Sequence, residues 1–231
     1  MSFELYILRR YIRSKREGGF ISLITSIGMV GVMLGVAALI IALTILGGFE
    51  KEIKEKVIGF AAHVQVVGFQ NQPLPDHTAA IERIHTEIPG VRAISPVISK
   101  EVIIRSKGYT EGVLLKGVDE VVDISATRKQ IIGGKYDLNS GNGSPKLVIG
   151  KKLAGKLDLR VGDRATLFGI GGNLKSLSTP IVRQFVVTGM YETGMAEYDD
   201  VYIYTSISAA QELFQLEGRI TGIEILVDDL S

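Results

Sequence analysis

The chain has 231 residues, 46% of them hydrophobic, and sets 26 Lys plus Arg against 25 Asp plus Glu. That near balance leaves no global field for gripping nucleic acid or steering an acidic substrate. The absence of cysteine excludes disulfides, thiolate catalysis and cysteine-ligated zinc.

Residues 1–19 read as a cytoplasmic amphipathic segment. At 100° per residue, Arg9, Arg10, Arg13 and Arg16 share one arc, and Phe3, Ile7, Leu8, Tyr11 and Ile12 share another. Such a helix can lie on the inner membrane surface with its arginines on anionic headgroups, or serve only as a topology signal. From Phe20 to Phe49, 30 residues pass without one Asp, Glu, Lys or Arg. As a helix this run reaches about 45 Å, longer than the ~30 Å hydrocarbon core. Residues 20–49 are therefore expected to form a transmembrane helix. A buried core helix rarely stays uncharged for so long, and a cleaved signal peptide has a much shorter apolar region. Arg9, Arg10, Arg13, Lys15 and Arg16 before the run outnumber Lys51, Lys54 and Lys56 after it. That bias puts the N-terminus in the cytoplasm. Gly28, Gly31 and Gly35 sit close together within the run, and small residues at such spacing let a partner helix approach.

Residues 50–59 alternate in charge, with Glu50–Lys54 and Glu52–Lys56 at i,i+4, so the helix is expected to continue as a stalk. Beyond it, period-2 and period-3.6 patterns alternate irregularly. Strands are expected at 63–69, 97–105, 111–118, 146–149, 164–168, 181–191, 201–204 and 220–227. Helices are expected at 76–87, 150–156 and 206–216. Residues 133–144 collect Asp, Gly, Asn and Ser and read as loop. The fold class is α+β, with a second subdomain inserted at about 119–200.

No catalytic constellation emerges. His63, His77 and His85 have no metal-ligand spacing, and Glu82 does not complete an H-E-x-x-H helix. Asp199-Asp200, ahead of a strand, reads as a turn. The stretch from Gly169 to Ser176 imitates a P-loop, but Leu174 stands where the second glycine is needed. Neither a cofactor nor a metal is expected.

Several blocks resemble the permeases of lipoprotein-releasing ABC transporters (the LolC/LolE group). They are GFISLITSIG from Gly19, GVAALI from Gly35, GGFEKEIK from Gly47, GFAAH from Gly59, IGKKLAGKL from Ile149 and GIEI from Gly222. The resemblance implies a MacB-like periplasmic domain, with a Porter-like subdomain at 60–118 and 201–231 and a Sabre-like one at 119–200. It implies a non-catalytic subunit of the bacterial inner membrane, with the bulk of the chain periplasmic. Its partners would be a cytoplasmic ABC ATPase, a second permease subunit and a periplasmic lipoprotein chaperone. A MacB- or FtsX-like mechanotransmission subunit, exporting other cargo or activating a cell-wall hydrolase, is the alternative. In LolC-like members a protruding hook and a nearby pad grip the chaperone. By position the hook maps to Gly169, Ile170, Gly171, Gly172, Asn173, Leu174, Leu177 and Pro180, and the pad to Arg183. Thr166 and Val182 occupy the positions of a second pad arginine and a pad glutamine, which leaves a LolE-like or hybrid role open. The family carries further spans, so the chain is expected to be the N-terminal portion of a longer permease.

Overall fold

The computed structural model describes residues 7, 10, 19–60, 62–75, 77–139, 141, 143–169 and 180–228, with the side chains of 19, 21, 51–60, 71 and 126 excepted. The chain divides into two compact units, Met1–Lys56 and Val57–Ser231. The first is built on helix α1 (Gly19–Phe60), 42 residues without a break. The charged residues after Phe49 therefore prolong the apolar helix rather than end it. Ser22–Glu50 is long and apolar enough to cross a membrane. Its side chains are bare: Leu39, Ile40 and Leu43 are all about 60% exposed. In water such a wall would forfeit about 25 cal/mol for every Å² left uncovered; in lipid it forfeits nothing. Thr44 donates its hydroxyl hydrogen bond to the Ile40 carbonyl at 2.8 Å, satisfying its polar group within the helix as a bilayer requires. The helix is a membrane span.

In the second unit, β1 (Val64–Val67), α2 (His77–Glu87), β2 (Val91–Ser106), β3 (Tyr109–Val118), β4 (Ile131–Gly134), β5 (Lys146–Gly150) and α3 (Lys151–Lys156) are followed by β6 (Arg164–Gly169), β7 (Ile181–Tyr191), α4 (Ala196–Val201), β8 (Tyr202–Ser206), α5 (Ile207–Phe214) and β9 (Gly222–Val227). This is the α+β class read from the sequence. The strands run β1-β9-β2-β3-β8-β5-β7-β4, and β6 pairs with both β2 and β7. That double pairing closes six strands into a ring: β2-β3-β8-β5-β7-β6 and back to β2. The length of β2 makes closure possible. Its first half pairs with β9, while Ile103, Ile104 and Arg105 pair with β6.

Alternation fills the ring. Val102 and Ile104 of β2, Val113 and Leu115 of β3, Leu147 and Ile149 of β5, Ala165 and Leu167 of β6, Phe185 and Val187 of β7, and Ile203 of β8 are all buried in one cluster. Ala209, Ala210, Leu213 and Phe214 of α5 belong to the same core. At Gly117 a Cβ would stand 2.5 Å from the Ala210 Cβ, so glycine is what lets α5 lie against β3. Val97, Val118, Tyr136, Leu138, Val148, Tyr191 and Tyr204 form a second, smaller cluster.

Three local expectations are corrected. Residues 131–134, partly read as loop, form β4 against β7, with Gly134 at φ 72°. Pairing with a long neighbouring strand overrides the weak propensity of a Gly-Gly pair. Asp199-Asp200 is not a turn but part of α4. Asp199 accepts hydrogen bonds from the Thr193 amide and hydroxyl at 2.8 and 2.9 Å, and Asp200 pairs with Lys156 at 2.7 Å. Each acid has its own structural task. Strand β2 starts at Val91, not 97, and runs through Pro96. There β2 has only β9 beside it, since pairing with β3 begins at Val97; a proline is tolerated at such an open edge.

Candidate docking site

The hairpin of β6 and β7 is paired to its last residues, with Phe168 opposite Val182 and Gly169 opposite Ile181. Of the residues assigned to the hook, Ile170, Gly171, Gly172, Asn173, Leu174 and Leu177 lie outside the described residues. Gly169 is buried at the root of the loop, where a Cβ would fall 2.7 Å from the Leu213 carbonyl oxygen and 2.8 Å from its Cγ. Glycine is needed here because the strand end presses on α5. Pro180 is exposed on the other side of the root. Arg183 pairs with Glu212 of α5 through its guanidinium. Both side chains are well exposed, so the pair contributes well under about 1 kcal/mol to stability. Its use is positional, since both strands of the hairpin meet α5 beneath the loop.

The structure divides the pad positions. Strand alternation sends Arg183 to the α5 side with buried Phe185, and Val182 and Gln184 to the opposite side. On that outer face a cross-strand row joins Ile103, Phe168 and Val182, with Ile103 45% and Val182 52% exposed. The next row is Arg105, Thr166 and Gln184. Thr166 and Val182 thus share a face that Arg183 does not. Glu212 was not singled out in the sequence, where nothing distinguishes it from any exposed helical acid.

On the membrane helix, a Cβ added at Gly28, Gly31 or Gly35 would meet nothing within 4 Å. The glycine face is open. Among the described residues, no group of His, Asp and Glu could hold a metal ion. The ring of His63 instead ties down a strand end, with Nδ1 accepting from the Val227 amide at 3.2 Å.

A second arrangement also escaped the sequence reading. Lys116 on β3 and Glu224 on β9 form an ion pair at 2.6 Å with side chains only 11% and 8% exposed. The signal was present, as each is a lone buried charge in an otherwise apolar run, VLLKGV and GIEILV. The pair lies at a cleft of about 230 Å³.

Comparison with known proteins reaches beyond this geometry. The model of the MacB-like periplasmic core domain family matches residues 25–230. The chain is 30% identical to the lipoprotein-releasing system transmembrane protein LolC of Neisseria meningitidis serogroup B, over 99% of this chain and 55% of that one. It is 27% identical to LolE of Haemophilus influenzae, over 99% of this chain and 56% of that one. The chain spans about half the length of the curated relatives it matches. The periplasmic region of MacB from Actinobacillus actinomycetemcomitans aligns over 78% of this chain and 82% of its own, at 14% identity and a TM-score of 0.49. With the family model covering the membrane helix from residue 25 and nearly the whole second unit, the chain belongs to the MacB-like periplasmic core domain family.

Proposed function

We propose that the chain is the N-terminal part of a permease subunit of an ABC transporter that releases lipoproteins from the inner membrane and passes them to a periplasmic chaperone. The observation that carries this reading is similarity to LolC along 99% of the chain, spanning both the membrane helix and the folded module. ATP hydrolysis then belongs to a separate cytoplasmic ATPase, and a second permease subunit, identical or related, completes the pore. The N-terminus is cytoplasmic and the second unit periplasmic in this reading, which the bias of the flanking charges supports. Within that unit, residues 60–118 and 201–231 make the Porter-like part and 119–200 the Sabre-like part. Gly28, Gly31 and Gly35 give a partner span its close approach. An unbroken helix from Gly19 to Phe60 is suited to carry movement between the two sides of the membrane.

The loop from Gly169 to Pro180 is the proposed chaperone contact, with its root held by the packing of Gly169 on Leu213 and by Arg183 on Glu212. A loop with a fixed root loses less freedom on binding than a free one. Replacing residues 170–179 by a short Gly-Ser linker in the full-length permease, within its complex, tests this. Transfer of lipoprotein to the chaperone from reconstituted vesicles is expected to fall by at least about tenfold, as for loss of a binding hot spot. Undiminished transfer removes the loop assignment. Capture of a hydrolase or an outer-membrane channel in place of the chaperone would favour mechanotransmission.

A further inference from the structure

The face of the sheet opposite the ring core carries polar side chains where its surroundings are apolar. Ser99 stands opposite Lys116 across β2 and β3, and Ser95 opposite Glu224 across β2 and β9. Gln65 faces Glu224 from the other side, on β1. Directly opposed residues share a face, so these five side chains converge. Lys116 and Glu224 reach over β2 to meet at 2.6 Å. The cleft at this pair is bounded by Gln65, Ser99, Tyr198 and Tyr202, and the two tyrosine rings stack at 4.9 Å with planes 16° apart. Burial, then Tyr202, then Glu224 hold the Tyr198 phenol above its ordinary pKa, which marks the wall as partly dry and close to the carboxylate.

Two charges taken out of water are stable only when further hydrogen bonds saturate them. Here both groups line the cleft, so what the protein leaves open is completed by water or a ligand in it. The pair brings one carboxylate oxygen of Glu224 to the Lys116 ammonium. Among the described residues no hydrogen bond occupies the second oxygen or the remaining ammonium protons. The Ser95 hydroxyl, 1% exposed and opposite Glu224, has no hydrogen-bond partner among the described residues. Lys116 and Glu224 both line the cleft of about 230 Å³, and Ser95 does not; the cleft is smaller than the roughly 300–1,000 Å³ of a drug-sized site.

The chemistry of an occupant follows from the sign of its neighbours. A lone anion would gain Lys116 and meet the Glu224 carboxylate at the same distance. A lone cation would suffer the reverse. A molecule with both charges places its anionic oxygens at Lys116 and its ammonium at Glu224, so that every charge has opposite neighbours. The stacked tyrosines offer the ammonium an aromatic wall. We propose that this cleft binds a small zwitterion, a primary ammonium joined by a short linker to an anionic oxygen group. The headgroup of an ethanolamine phospholipid and a free amino acid share that chemistry. The proposal stands apart from the chaperone-docking loop and from the transport reading.

The full chain in a non-ionic detergent can be titrated with glycerophosphoethanolamine, with glycine, and with the single-charge halves glycerol phosphate and ethanolamine, followed by calorimetry or NMR. At least one zwitterion is expected to bind with a Kd of about 1 mM or tighter, and at least about tenfold more tightly than either half. Preference for glycerophosphoethanolamine assigns the lipid headgroup, and preference for glycine assigns the amino acid. The double variant Lys116→Met with Glu224→Gln leaves no buried charge unpaired. It is expected to keep the unfolding transition while weakening binding by about tenfold or more. The comparison with the halves uses the unaltered chain and decides the matter even where the variant fails to fold. No binding of either zwitterion up to about 10 mM, a half that binds as well as both zwitterions, or a folded double variant that binds undiminished would overturn the assignment.

Discussion

Lys116→Met alone is expected to lower the stability of the second unit by about 3–5 kcal/mol, because it leaves the Glu224 carboxylate buried without its partner. The geometry supports the high end of what a charge pair can do. The contact is 2.6 Å and both side chains are about nine-tenths buried, so only water held in the small cleft beside them can take over part of the role of the lost ammonium. Glu224→Leu alone should behave alike, stranding the ammonium. The double variant, Lys116→Met with Glu224→Leu, removes both desolvation penalties and is expected to recover most of the loss. Urea unfolding followed by tyrosine fluorescence measures all three, and the cycle isolates the coupling between the two residues. A single variant that shifts stability by less than about 1 kcal/mol would mean the pair behaves as a solvated surface bridge.

Phe185→Ala is the second large effect. Phe185 is fully buried on β7 among the residues that fill the strand ring, and truncating such a side chain costs about 3–5 kcal/mol, transfer and cavity together. Three residues earlier, Val182 is 52% exposed on the outer face. Val182→Ala should therefore stay within about 0.5 kcal/mol, as surface changes usually do. The contrast tests the register of β7 directly, since a slip of one residue would exchange inside for outside along the strand. Equal losses at the two positions would contradict the register.

What could be read from the sequence was what local composition decides. The span needed only its uncharged run from Phe20 to Phe49. Strands such as 181–191 needed only their alternation, and the helix expected at 206–216 is α5, which the structure shows capped by Ser206 accepting from the Ala209 amide. Closure of the ring could not be read in this way. It depends on Ile103 meeting Phe168, a pairing across a long stretch of chain that no window contains. Strand β4 exists because β7 offers an edge, not because Ile-Ile-Gly-Gly favours extension. The loop proposed to dock the chaperone was legible as glycine-rich, yet the reason for Gly169 is a contact with Leu213 on another element. Spacing picked out Arg183 but not the face it occupies, which depends on where α5 packs. Lys116 and Glu224 were visible as charges within apolar strands, though only the sheet order brings β3 and β9 close enough for the two side chains to touch across β2.

The proposed release of lipoproteins and docking of a chaperone both require the second unit to stand outside the cytoplasm, with the apolar helix before it held in the membrane. Protease added to the outer face of intact spheroplasts measures this. The account predicts that residues after Phe60 are cut while a fragment containing the uncharged helix is retained in the membrane. A chain that survives whole until the membrane is permeabilised would contradict it.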